Sequence, residues 1–135
     1  MPRIHTFVDA NVLLTAFRGK DLWQKAMEVL DDPEREFIVS DFLKLEVIPK
    51  PVFHRREEEV QFMGEFFESA SLFIESSPSI TLQAIDLACK YNLSAFDAMH
   101  AGTAIHANAD ELITLEKPTK PLCQITEVKV TSLLS

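Results

Sequence analysis

The chain has 135 residues, of which 47% are hydrophobic and 25% are charged. This length suits one domain that buries roughly two thirds of its unfolded surface, and the composition excludes a disordered or collagen-like chain. With three glycines and neither glycine-rich phosphate loop, nucleotide binding is disfavoured. The net charge of −8 excludes a surface that attracts nucleic acid everywhere, so metal ions or a local basic strip would have to bring a polyanion to the protein.

The sequence predicts neither a membrane-spanning segment nor a signal peptide. No apolar run is long enough to span a bilayer, and Asp9 interrupts the first apolar segment where a signal peptide needs an unbroken one. We therefore expect a soluble, cytoplasmic protein. Cys89 and Cys123 fit neither a disulfide framework nor a four-ligand zinc site, and we interpret them as reduced core residues.

The first part of the chain alternates strand and helix signals. Residues 4–8 form a β-rich run that ends at Asp9, and apolar residues at helical spacing follow until Gly19. The apolar stripe of residues 22–30 predicts a second helix. Residues 37–39 predict a buried strand, after which Ser40 or Asp41 caps a short helix that prolines 49 and 51 should stop.

The alternation continues through the second part. Residues 55–70 have the spacing of an amphipathic helix, and residues 72–74 predict a third strand. A helix over residues 79–91 ends at Asn92, and the capping box from Ser94 to Asp97 opens another helix that reaches about residue 107. Small residues in this last helix should let it pack closely against the sheet. Residues 112–115 predict a fourth strand, and the alternation of residues 125–130 predicts a fifth at an edge.

Strands that alternate with helices of ten or more residues predict an α/β fold of three αβα layers. Parallel strands need crossover connections, and both faces of their sheet need cover. We therefore expect one domain over residues 1–135, with a central, mainly parallel sheet of four to five strands. In such sheets ligands bind beyond the carboxyl ends of the strands.

Four acidic residues fall at this edge, each in a separate strand-to-helix or strand-to-loop transition: Asp9, Glu46, Asp97 and Glu116. Three of them also have an ordinary structural interpretation. Asp9 can cap the following helix, Glu46 can be a solvated helical residue, and Asp97 can complete the capping box.

Together, the four carboxylates would repel one another unless a divalent cation neutralised them. Oxygen ligands without a paired histidine or cysteine favour Mg²⁺ or Mn²⁺ over zinc, and a water on such an ion can attack a phosphodiester. His100 and His106 have no metal-ligand spacing, and we expect His100 to pack or to form a local hydrogen bond.

The order of these motifs resembles the PIN domain family, which includes VapC-type toxins. The resemblance rests on residues 7–14 (FVDANVLL), on Glu46 after Ser40, on residues 97–104 (DAMHAGTA) and on residues 110–116 (DELITLE). It implies a Mg²⁺- or Mn²⁺-dependent endoribonuclease that cuts RNA. In that reading Asp9, Glu46 and Asp97 form the acidic cluster, and Asn11 orients a metal-bound water. It also implies a homodimer and, for a toxin, a small antitoxin partner.

The sequence departs from the family at its fourth acidic position. Family members usually carry Asp there, whereas the candidate here is Glu116, whose longer side chain moves the charge outward. A site of three acids, with Glu116 pointing to solvent, is therefore also open. Four lysines near the expected site edge are candidates for RNA contacts, although each alone reads as a solvated surface residue: Lys44, Lys50, Lys117 and Lys120.

Two other functions compete with the nuclease. A phosphotransfer enzyme with a nucleophilic Asp9 is disfavoured, because such a phosphatase needs a second Asp where this chain has Asn11. The other alternative is a catalytically weak or inactive PIN fold that binds RNA or protein. Apolar residues of the first two helices would serve a partner there, although they read more simply as core: Leu14, Phe17, Trp23 and Met27.

Overall fold

A computed structural model describes residues 3–134 and contains a five-stranded sheet in which every neighbouring pair is parallel. The strands are β1 Ile4–Val8, β2 Arg35–Ser40, β3 Leu72–Ile74, β4 Glu111–Thr114 and β5 Val130–Ser132. The helices are α1 Ala10–Arg18, α2 Trp23–Leu30, α3 Asp41–Val47, α4 Pro49–Phe53, α5 Glu57–Ser69, α6 Pro78–Tyr91 and α7 Ala95–His106. A 3-10 helix covers Pro121–Gln124. Within residues 3–134, no helix combines the length and apolar character needed to cross a membrane.

The strand order β3-β2-β1-β4-β5 puts β1 at the centre. Phe7 and Val8 of β1, Ile38 and Val39 of β2, and Leu112 of β4 have no side-chain exposure, which is typical of parallel strands covered on both faces. The predicted α/β class with a parallel sheet flanked by helices is confirmed.

The order in which the chain adds strands to the sheet reverses at β1 and β4. The chain steps from β1 to β2 and β3 on one side, then returns past β1 to β4 and β5. Because crossovers between parallel strands are right-handed, the helical connections up to β3 cover one face, and α6 and α7 cover the other. At such a reversal the two outgoing connections diverge, which leaves a crevice at the carboxyl ends of β1 and β4.

The predicted edge strand over residues 125–130 was wrong in position. Strand β5 begins only at Val130, because Ile125 and Val128 lie in a loop and bury their side chains in the core. Their spacing imitated the alternation of a half-buried strand.

The short helix after β2 ends just before the two prolines, as predicted, since α3 stops at Val47. A second short helix, α4, then begins at Pro49 itself. Proline is tolerated in the first turn of a helix, where its missing N–H has no intrahelical partner to lose.

Two predictions about packing need correction. Cys89 is exposed and Cys123 is only partly buried, so neither is a core residue. The small residues of α7 serve a neighbouring helix more than the sheet: a Cβ on Gly102 would lie 3.3 Å from the backbone oxygen of Ile80 in α6. The missing side chain thus lets α6 and α7 approach closely.

Candidate metal centre

Asp9 lies at the centre of the crevice, between β1 and α1. Its Oδ1 accepts a hydrogen bond from the N–H of Ala10 at 2.8 Å, which confirms it as the helix cap, and its Oδ2 accepts one from the Thr114 hydroxyl at 2.9 Å. The residue is only 4% exposed. Burial raises the pKa of Asp9 to about 6; His100 and the Thr114 hydrogen bond lower it, and the nearby carboxylates of Asp97 and Glu46 raise it.

Glu46 and His100 reach the crevice from two different helices. The Ser40 hydroxyl accepts the N–H of Leu43 at 3.0 Å and so starts α3, which carries Glu46 in its second turn. His100 Nε2 lies 2.6 Å from Glu46 Oε1. Asp9, Glu46 and His100 each offer one ligand atom, and these atoms lie within 4.8 Å of one another. His100 packs against Phe7, as expected, but its hydrogen bond is not the expected local one, because Glu46 lies 54 residues away.

Asp97 enters from the first turn of α7 and is half-buried. Its N–H donates to the Ser94 hydroxyl at 3.4 Å, which is one half of the predicted capping box. Burial raises the pKa of Asp97, the Ser94 hydrogen bond and His100 lower it, and Glu46 raises it. The fold therefore brings Asp9, Glu46 and Asp97 close enough for their charges to interact.

Asn11 lies beside Asp9 and joins α1 to the end of β4. Its Oδ1 accepts the N–H of Leu115 at 3.1 Å, and its Nδ2 lies 3.4 Å from the Thr114 hydroxyl oxygen. Thr114, which was not among the residues predicted from the sequence, has no exposure, and its hydroxyl also accepts the N–H of Glu116 at 3.0 Å. The available signal was a polar residue at the last position of a buried strand, next to a candidate acid.

Glu116 lies two residues after the end of β4 and is partly buried. Its carbonyl oxygen accepts hydrogen bonds from the Ser132 hydroxyl and from Cys123 Sγ, so its backbone position is fixed. The pKa of the Cys123 thiol is raised by burial first, and then by Glu116, Asp9 and Asp97. Cys123 therefore faces the same acidic region. The carboxylates that raise the pKa of Asp9 are those of Asp97 and Glu46.

Positive charge is sparse at this centre. Among the described residues, no lysine or arginine forms an ion pair with Asp9, Glu46 or Asp97. The four lysines singled out in the sequence are exposed: Lys44, Lys50, Lys117 and Lys120. The oxygen donors fit a hard divalent cation, since such ions prefer carboxylate ligands and would relieve the repulsion among them.

The fold and this site define an α/β protein with an acidic centre at the switch point of a parallel sheet. The family model of the PIN domain matches residues 6–118, which span β1 to the end of β4 and include all four acids. The chain belongs to the PIN domain family. No curated relative matches the sequence.

Several solved structures share the fold over nearly the whole chain. VapBC2 of Rickettsia felis, bound to a DNA fragment from its promoter, is 17% identical with a TM-score of 0.72, covering 96% of this chain and 98% of that one. A toxin-antitoxin complex of Klebsiella pneumoniae is 24% identical with a TM-score of 0.70, covering 94% and 96%. PAE2754 of Pyrobaculum aerophilum is 17% identical with a TM-score of 0.56, covering 95% and 91%.

Proposed function

We propose that the protein is a divalent-metal-dependent endoribonuclease that hydrolyses RNA phosphodiester bonds. One observation carries the proposal: a buried Asp9 faces two further carboxylates, and no described lysine or arginine pairs with any of them. Such a cluster is costly without a cation. Membership of the PIN domain family supports a nuclease, since its members are generally nucleases that use divalent metals.

In this proposal Asp9, Glu46 and Asp97 hold Mg²⁺ or Mn²⁺. When bound, such an ion supplies a water of lowered pKa and stabilises charge on the phosphate. Asn11 orients the polar groups beside Asp9 through its bonds to β4, and Glu116 contributes a fourth carboxylate.

Hydrogen bonds within the chain also hold the Asp9 carboxylate in place without an ion. The cap of α1 and the Thr114 hydroxyl fix both oxygens of Asp9, so that its carboxylate does not rotate. Fixed ligands lower the entropy that binding costs.

We further propose that the protein is the toxin of a toxin-antitoxin pair. The Klebsiella pneumoniae structure is titled a toxin-antitoxin complex, and its chain aligns with 94% of this one. An antitoxin is therefore the partner that we propose. A homodimer and action in the cytoplasm stay predictions of the sequence.

Cleavage of structured and single-stranded RNAs tests the enzymatic proposal. The unmodified protein, Asp97→Asn and the matched control Asp86→Asn are each incubated with Mg²⁺, with Mn²⁺ and with chelator. Asp86 is an exposed acid on α6 outside the candidate centre. We expect metal-dependent cutting that falls about 100-fold or more in Asp97→Asn and is unchanged in the control.

Two results would contradict the proposal. Equal cutting by the unmodified protein and Asp97→Asn would mean that the activity comes from a contaminant. No cutting of any RNA, together with no Mg²⁺ or Mn²⁺ binding in calorimetry, would favour the alternative of an inactive PIN fold that binds RNA or protein.

A further inference from the structure

His100 connects two walls of the metal centre. It lies on α7, three residues after Asp97, and its ring is 1% exposed. The ring centroid lies 5.4 Å from that of Phe7 in β1 and 6.1 Å from that of Phe96. Its Nε2 contacts Glu46 of α3. The imidazole is thus held by packing and has one polar contact, to a proposed metal ligand.

This position allows two roles, and the distance to Glu46 distinguishes them. Two ligands of one ion, each at about 2.1 Å from it, lie roughly 3 Å apart or more. Nε2 and Oε1 are 2.6 Å apart, which is the distance of a strong hydrogen bond to a carboxylate. Because an ionised carboxylate has no proton to give, the proton between these atoms belongs to Nε2.

The other ring nitrogen supports the same assignment. Nδ1 is buried and has no hydrogen-bond partner among the described residues. If Nε2 bound a metal through its lone pair, the ring proton would move to Nδ1, where an N–H would be buried without an acceptor. Histidine ligands of metals almost always give that second N–H a partner. The surroundings of His100 lack this feature.

We propose that His100 is a positioning residue that donates from Nε2 to Glu46 and is not itself a metal ligand. The bond holds the Glu46 carboxylate toward Asp9 and limits the rotation of a long side chain that is 32% exposed. The centre consequently keeps oxygen ligands only. This inference rests on the proposed metal-dependent function, because it assigns His100 a role in that same site.

Metal binding by the full chain tests the role without relying on activity. Mn²⁺ and Mg²⁺ affinities are measured for the unmodified protein, for His100→Phe, for His100→Gln and for the control His106→Gln, which changes an exposed histidine of the same helix. Removing a partner of a metal ligand typically weakens binding by about 10- to 100-fold. We expect this loss for both ions in His100→Phe, and substantial recovery in His100→Gln, whose amide still donates.

Electron spin echo spectroscopy of bound Mn²⁺ separates donor from ligand. We expect no coupling from a directly bound imidazole nitrogen in the unmodified protein. Such a coupling, lost in His100→Gln, would overturn the proposal, as would unchanged affinities in His100→Phe.

Long-range proton-nitrogen NMR of the metal-free, unmodified protein provides a test that needs no variant to fold. A proton on Nε2 of His100 supports the proposal, and an unprotonated Nε2 contradicts it. If the unmodified protein binds neither ion, the proposed nuclease function fails instead, and the NMR result still reports whether Nε2 donates to Glu46.

Discussion

The Asp9 carboxylate caps a helix and is also a buried acid. As the cap of α1 it satisfies the N–H of Ala10, and as a buried acid it carries a charge that its surroundings disfavour. A capping aspartate usually lies at the surface, where ionisation costs little. Burial at 4% exposure therefore marks this cap as more than a structural device.

The raised pKa of Asp9 makes the metal-free protein less stable as pH rises. The folded-state pKa of about 6 exceeds the usual 3.8, so the folded state retains the proton that the unfolded state releases. This contribution to stability is complete below pH 3.8 and is lost as pH rises through about 6. Asp9→Asn should remove this loss and stabilise the metal-free protein at pH 8 by about 3 kcal/mol.

Urea unfolding of both proteins at pH 5 and pH 8, in the presence of chelator, measures the effect. The stability difference between Asp9→Asn and the unmodified protein should grow between these two pH values. A difference that stays constant would mean that Asp9 is ionised throughout.

The hydroxyl of Thr114 forms hydrogen-bond contacts with several polar groups around Asp9. Its hydroxyl donates to Asp9, accepts from Glu116 and contacts Asn11. Thr114→Val keeps the shape but removes these bonds, and should cost about 1 to 3 kcal/mol, because buried groups lose their partners. Thr114→Ser retains the hydroxyl and should cost less. Equal losses in the two variants, measured by urea unfolding, would assign the role of Thr114 to its methyl group.

At the level of elements, the close approach of α6 and α7 decides where Asp97 and His100 lie. Gly102 is in contact with α6, and the buried side chains beside it are small. Helix α7 begins at Ala95 after its cap Ser94, so Asp97 lies in its first turn and His100 in the next. A shift of α7 away from α6 would move Asp97 and His100 together.

Substitutions at Gly102 test this packing. A Cβ there would lie 3.3 Å from Ile80 O, so Gly102→Ala should gain less than the roughly 1 kcal/mol that alanine usually adds to a helix interior. Gly102→Val should lose about 1 to 3 kcal/mol through overpacking. The control is Gly64→Ala in α5, where an added Cβ would meet no described atom within 4 Å apart from its chain neighbours and its own helix backbone, so the full gain is expected. Thermal unfolding distinguishes the three. A Gly102→Val protein as stable as the unmodified one would show that α6 can shift away from the larger side chain without loss of stability.

For the whole molecule, the acids at the two ends of the sheet differ in whether a cationic side chain pairs with them. At the amino end, Glu111 is buried but accepts hydrogen bonds from Arg35 at 2.7 Å and from the Thr6 hydroxyl at 2.7 Å. At the carboxyl end, no described lysine or arginine pairs with Asp9, Glu46 or Asp97, and Glu46 contacts Nε2 of His100. The buried acid at the amino end is paired within the chain, whereas the proposed function assigns the three acids at the carboxyl end to a cation from solution.

Mg²⁺ or Mn²⁺ should therefore stabilise the fold. An ion present at 100 times its dissociation constant adds about 2.7 kcal/mol. The gain should be larger at pH 8 than at pH 5, because protonation of Asp9 competes with the ion. Thermal unfolding with and without the ion checks this, with Asp86→Asn as the variant that keeps the effect and Asp97→Asn as the one that reduces it. A gain that Asp97→Asn fully retains would place the bound ion elsewhere.

The sequence by itself determined the elements and the acids. Hydrophobic periodicity is local, so β1, the helix caps at Asp9, Ser40 and Ser94, and the succession of strands and helices follow from neighbouring residues. The same rule failed at residues 125–130, where loop residues bury two side chains. Asp9, Asn11, Glu46 and Glu116 follow the ends of strands, and Asp97 lies in the first turn of a helix that a capping box begins, so all five were candidates from local sequence.

Only the tertiary structure decided which groups meet. Glu46 and His100 are 54 residues apart, and Asp9 and Thr114 are 105 apart, so no local pattern specifies their contacts. Strand order, which places β4 next to β1, joins these segments in space. The burial that raises the pKa of Asp9 likewise depends on all the elements packed around it, because desolvation is a property of the assembled surroundings.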